Sequence, residues 1–79
     1  MHKKRSDNQG SKELIDKLVK LRHSKGMSQK QLAEKTGLSQ QAISRIECGA
    51  YAPSLKTLLR IVKALNARIE FRESEETDV

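Results

Sequence analysis

Apolar residues recur along most of this 79-residue chain at three- and four-residue intervals, and glycines interrupt the pattern at a few points. Leu14, Leu18 and Leu21 form one stripe at i, i+4 and i+7, widened by Ile15 and Val19, which predicts an amphipathic helix from about Ser11 to Lys25. Ser11 stands where an N-cap belongs, and Gly26 suits the left-handed residue beyond a helix C-terminus. The preceding stretch, 1–10, is polar and basic without apolar period, and is expected to be a disordered arm.

Ser28 and Gln31 have the spacing of a capping box, in which the Ser hydroxyl accepts from the third amide and the Gln side chain reaches back. A second helix therefore begins here, with Leu32 and Ala33 facing inward, and Gly37 ends it after two turns. Leu38 follows as an apolar plug, and Ser39 caps a third helix. In that helix Ala42, Ile43 and Ile46 fall on the buried side, Gln40, Gln41, Ser44 and Arg45 on the other, and Gly49 stops it. Gly49–Pro53 is a loop. Pro53 and Ser54 start a fourth helix through Leu65, with a broad apolar face of Leu55, Leu58, Leu59, Val62 and Leu65 flanked by Ile61. Asn66 can take the left-handed position after it.

The period then changes. Ala67, Ile69 and Phe71 alternate with Arg68, Glu70 and Arg72, matching a strand at all three apolar positions. A fifth helix would put Leu65, Ile69 and Arg72 on one stripe and match two of three, so the strand is favoured and the helix stays open. A lone strand leaves its amides and carbonyls without partners, and a second copy pairing Ala67–Glu73 antiparallel across a two-fold axis would supply them. Ala67, Ile69 and Phe71 would then form the dimer contact. The expected fold is all-α, a bundle of four to five helices over 11–66 with a short C-terminal β-strand at 67–73 and an acidic, disordered tail at 74–79.

Charge adds a partner to this picture. The chain carries 16 basic and 10 acidic side chains, a net of +6. Four of the acids, Glu73, Glu75, Glu76 and Asp78, lie in the last seven residues, and Ser11–Arg72 alone holds 13 basic against 5 acidic residues. A body this basic is suited to a polyphosphate. No run approaches the roughly 20 apolar residues of a membrane span, and 1–10 lacks the apolar stretch of a secretory signal. With one cysteine, Cys48, and two histidines, neither an internal disulfide nor a metal cluster is expected. No nucleophile with a base stands out, so no catalytic residue, enzyme activity, cofactor or metal is assigned. A cytoplasmic, nucleoid-associated protein is expected.

Two short helices joined by a tight glycine turn are the local signature of a helix-turn-helix, whose second helix enters a major groove about 12 Å wide. Gln40, Gln41 and Arg45 are long enough to reach base edges there, Gln pairing with adenine and Arg with guanine. The start of the preceding helix, at Ser28 and Gln29, offers free amides and a positive dipole end to phosphate. With one Tyr and one Phe, the chain is poor in the stacking aromatics that RNA modules use.

From Met27 to Gly49 the residues read MSQKQLAEKTGLSQQAISRIECG. This stretch resembles the phage-repressor/Cro-like (Xre-type) helix-turn-helix family, and the likeness extends from about Leu14 to Leu65. The resemblance implies a lambda-repressor-like DNA-binding bundle with the third helix in the major groove. It implies base reading by Gln40, Gln41, Ser44 and Arg45, and phosphate binding by Ser28, Gln29, Ser39, Gly49 and Lys56. It also implies a structural pair, Arg22 with Glu47, tying the first helix to the third. Many members carry Asn or Ser where this chain has Cys48. The following Pro53–Leu58 and Leu65–Phe71 are similar to the HigA-like and HipB-like antitoxin repressors. The function implied is a sequence-specific repressor that binds double-stranded DNA, with a palindromic operator and a homodimer. The alternative is an antitoxin that neutralises a protein toxin partner and autorepresses its operon.

Overall fold

The computed structural model describes residues 9–74. Within them lie four helices: α1 (Gln9–Ser24), α2 (Gln29–Thr36), α3 (Gln40–Glu47) and α4 (Leu55–Ala64). α2 packs on both α3 and α4, and α1 packs on α3. Leu32, Ala33, Ile43, Ile46, Ile61 and Leu65 make the core, with Ile15, Leu18, Leu21, Met27, Leu38, Ala64 and Ala67 packed around it. No helix among the described residues is long and apolar enough to cross a membrane.

The caps explain where the short helices begin. Ser28 Oγ accepts from the Gln31 amide at 3.0 Å, and Gln31 Oε1 accepts from the Ser28 amide at 2.8 Å, completing the capping box. Ser39 and Ser54 cap α3 and α4 by accepting from Ala42 and Thr57.

Three of the four helix ends share one device. At the end of α1 the Met27 amide donates to the Arg22 carbonyl and Gly26 to His23, with Gly26 at a φ of 66°. The same paired bonds close α3 around Gly49 and α4 around Asn66, whose φ is 58°. Between α2 and α3 a simpler turn suffices: Gly37 sits at φ 80° and its amide donates to the Ala33 carbonyl. A side chain at that φ would be strained, so glycine sets the geometry of this turn. Buried Thr36 locks it further, donating to the Leu32 and Ala33 carbonyls while accepting from the Leu38 amide at 3.2 Å.

Three sequence expectations change. α1 begins at Gln9, so Gln9 and Gly10 belong to the helix rather than to the arm, and Ser11 is not its N-cap. Gly10, Ser11 and Lys12 are exposed, so no packing constraint at these positions selects Ser11 as the start. Residues 1–8 of the arm and 75–79 of the acidic tail lie outside the described residues. Second, the apolar face of α4 is only partly used. Ile61, Val62 and Leu65 are buried, but Leu55 and Leu59 are 68% and 47% exposed. Six apolar positions wrap more of a ten-residue helix than the adjoining helices cover. Third, 67–74 forms neither a fifth helix nor a strand ladder among the described residues. Ala67 packs on the core, while Ile69 and Phe71 are exposed, Phe71 at 95%.

This packing predicts unequal costs for two leucines of one helical face. Leu65→Ala, at a fully buried site, should lower the unfolding free energy by about 2–5 kcal/mol. Leu55→Ala should stay within about 0.5 kcal/mol of the parent. Urea unfolding followed by circular dichroism measures both, and equal losses would contradict the packing described.

Candidate nucleic-acid interface

α3 presents two chemically distinct sides. Ile43 and Ile46 are 1% and 2% exposed and fix the helix to the core, and Ala42 is half-buried beside them. Gln40, Gln41, Ser44 and Arg45 are all exposed, and none of their side chains makes a hydrogen bond within the described residues. A helix whose buried and exposed positions divide in this way is held by one side and leaves a row of long polar side chains on the other. All four sequence-predicted base-reading residues therefore share one open face.

The predicted phosphate-binding residues fall into two groups. Ser28 and Ser39 are exposed, and as N-caps their oxygens accept amide bonds, leaving each hydroxyl proton for another acceptor. Lys56 is exposed in the first turn of α4. Gly49 adopts a φ of 84°, and its amide donates to the Ile46 carbonyl at 3.1 Å, so that amide is already used in closing α3. Gln29 is half-buried, and its side-chain Nε2 donates to Glu47 Oε1 at 2.9 Å. Gln29 and Glu47 are eighteen residues apart on different helices, so no local period announces this contact.

Behind this face lies the pair expected from the sequence. Arg22 Nε donates to Glu47 Oε2 at 2.7 Å and Arg22 Nη2 to Oε1 at 2.8 Å, a two-pronged bridge from α1 to α3. The two side chains are only 7% and 13% exposed. Arg22 Nη1 also donates to the Met27 carbonyl at 2.7 Å, and Nη2 lies 3.2 Å from His23 Nε2. One guanidinium thus gathers the end of α1, the chain entering α2 and the end of α3. No buried side-chain nitrogen or oxygen among the described residues lacks a partner.

The Glu47 carboxyl is pulled both ways. Burial pushes its pKa up, but hydrogen bonds from Arg22 and Gln29, the charge of Arg22 and the nearby His23 outweigh it. The result lies below the ordinary value of 4.5.

Cys48 is exposed, with Sγ 3.6 Å from the Arg45 carbonyl. The described residues contain no group of His, Cys, Asp or Glu arranged to hold a metal. Thr36 and Arg60 were not singled out by the sequence. Arg60 Nη1 reaches the Thr36 carbonyl at the end of α2, 3.5 Å away. Threonine near a helix end is too common to carry a signal, and burial alone reveals its role.

Two short helices locked at a glycine turn, the second bearing an open polar face, define a helix-turn-helix protein. Comparison with known proteins agrees: a family model described as Helix-turn-helix matches residues 18–71. The chain belongs to this family, in its Xre/Cro-like form. It is 40% identical over 55 residues to YgzD, an uncharacterized HTH-type transcriptional regulator of Bacillus subtilis, covering 70% of this chain and 83% of the relative. It is 44% identical over 45 residues to an uncharacterized HTH-type transcriptional regulator of Archaeoglobus fulgidus, covering 57% of this chain and 64% of the relative. The HTH-type transcriptional regulator PuuR of Escherichia coli is 34% identical over 64 residues, which is 78% of this chain and 35% of that protein. The chain thus spans somewhat under two thirds of the Archaeoglobus relative and about a third of PuuR. No solved structure matches the chain at the same stringency.

The bridge predicts a pH signature. Because the folded-state pKa of Glu47 is lowered, its stabilisation is present in full above the unfolded carboxyl range and is lost as pH falls through the lowered value. Arg22→Met, which strands the buried carboxylate, should cost about 3–5 kcal/mol near neutral pH. That difference from the parent should shrink on acidification toward about pH 3. Urea unfolding across this range tests it, and a pH-independent difference would contradict the assignment.

Proposed function

We propose that this chain is a sequence-specific repressor that binds duplex DNA as a homodimer on a palindromic operator. The observation that carries the reading is the α3 face, where Gln40, Gln41, Ser44 and Arg45 stand exposed over buried Ile43 and Ile46. Side chains without internal partners on a rigid helix are suited to reading base edges in a major groove. Ser28, Gln29, Ser39 and Lys56 are assigned as contacts to the DNA backbone, which would set the register on the duplex but carry no sequence information. The basic balance of 11–72 favours a phosphate-rich partner. The matched relatives are named HTH-type transcriptional regulators, which supports the coarser reading of a DNA-binding regulator.

The dimer reading rests on 67–73. Among the described residues this segment has no ladder partner and leaves Ile69 and Phe71 exposed, and pairing with a second copy would satisfy its backbone and cover both side chains. Two copies related by a two-fold axis would address half-sites one helical turn apart, roughly 34 Å.

Arg45→Ala is expected to relax preference at one or two base pairs of each half-site, losing about 1–3 kcal/mol of discrimination per contact. Selection from random duplexes followed by sequencing measures it, and an unchanged consensus would contradict base reading by Arg45. In the same assay the parent should yield a palindrome. Phe71→Ser is expected to shift sedimentation at micromolar concentration from dimer toward monomer, and a parent chain already monomeric there would overturn the dimer.

A further inference from the structure

We infer that Glu47 is a positioning residue for DNA binding: its carboxylate, pinned by Arg22, holds the Gln29 amide in the orientation that presents an N–H to a backbone phosphate. This rests on the reading of Gln29 as a phosphate contact and adds the part that makes the contact ready in advance.

Glu47 Oε1 accepts two bonds, from Arg22 Nη2 at 2.8 Å and from Gln29 Nε2 at 2.9 Å. A glutamine amide has two donor N–H groups and one acceptor oxygen, and its two flipped orientations are close in shape but opposite in polarity. A carboxylate beside it resolves the choice, because it accepts from the NH₂ and repels the carbonyl oxygen. One N–H is spent on Glu47 and the second remains for an external acceptor. An unrestrained glutamine on a helix start would instead sample rotamers and flips, and that freedom would be lost on binding.

A carboxylate behind a phosphate contact is at first sight the wrong charge. Here the Arg22 guanidinium neutralises it through both oxygens, and the pair is almost wholly shielded from solvent. Glu47 can therefore act as a hydrogen-bond acceptor toward Gln29 without presenting a free negative charge to DNA. The link also fixes the start of α2 against the end of α3, so the phosphate contact and the base-reading row keep one spacing.

The test is a double-mutant cycle on the parent chain, Gln29→Ala, Glu47→Gln and the double variant, each titrated with the selected operator and a random duplex at fixed salt. Gln29→Ala should weaken both duplexes by about three- to tenfold. Glu47→Gln should cost a similar factor in the parent background and add nothing once Gln29 is gone. An equal loss from Glu47→Gln in both backgrounds would overturn the positioning role while leaving the Gln29 contact standing. No loss from Gln29→Ala on either duplex would instead remove the phosphate contact itself, and the positioning role with it. Should Glu47→Gln fail to fold, the parent protein still decides. Nuclear Overhauser contacts from the Gln29 side-chain amide to the Glu47 methylene protons should be present in the free chain and persist in its operator complex. Their loss on binding would overturn the proposal.

Discussion

The mutual arrangement of α1, α3 and the chain entering α2 depends on one buried charge pair, Arg22 with Glu47. With so few residues, the hydrophobic core is confined to a handful of side chains centred on Leu32, Ile43, Ile61 and Leu65, and short chains have little burial to spare. Arg22 and Glu47 join segments 25 residues apart and satisfy a backbone carbonyl at Met27 as well. A buried pair of this kind adds less net stability than its charges suggest, because both must leave water. Its value is directional. Aliphatic contacts tolerate rotation of one helix on another, whereas a two-pronged bridge admits few angles. The orientation of α3, on which any recognition of a groove depends, is thus set by polar geometry laid over an apolar contact.

Local signals and tertiary contacts agree on this arrangement. Serine caps start α2, α3 and α4, and left-handed residues at Gly26, Gly37, Gly49 and Asn66 follow the helix ends. Thr36 closes the turn from inside, satisfying backbone groups that the three-residue connection would otherwise leave unpaired. Caps, turn and bridge all specify the same geometry, and such agreement between local and long-range preferences is what makes a short sequence foldable.

Much of this was legible in the amino-acid order. The Ser28–Gln31 box, the glycine turn at Gly37, the two sides of α3 and the left-handed Asn66 are local patterns, written within four residues of where they act. The pairing of Arg22 with Glu47 came from family likeness, since no local rule connects those positions. What the sequence concealed was of two kinds. Boundaries without packing constraints, such as the first turn of α1, have no residue that must mark them. Long-range choices, such as which leucines of α4 find neighbours and where the Gln29 amide turns, depend on what the remainder of the chain brings near. Leu55 and Leu65 look alike in a helical stripe, yet one is mostly exposed and the other fully covered. The segment 67–74 shows the same dependence, because a strand is defined by its neighbour and the described residues offer it none.

The division of α3 into a fastened side and an open one also bears on how such a protein can change over generations. The side chains of Gln40, Gln41, Ser44 and Arg45 are exposed and make no hydrogen bond among the described residues, so replacing them should leave the core, the caps and the bridge intact. If that open side reads DNA as proposed, stability and address would be written in separate residues of the same eight-residue helix. Duplicated copies could diverge toward new targets by drift at a few surface positions, each intermediate remaining folded. The scaffold would persist unchanged while the sequences it answers to are rewritten.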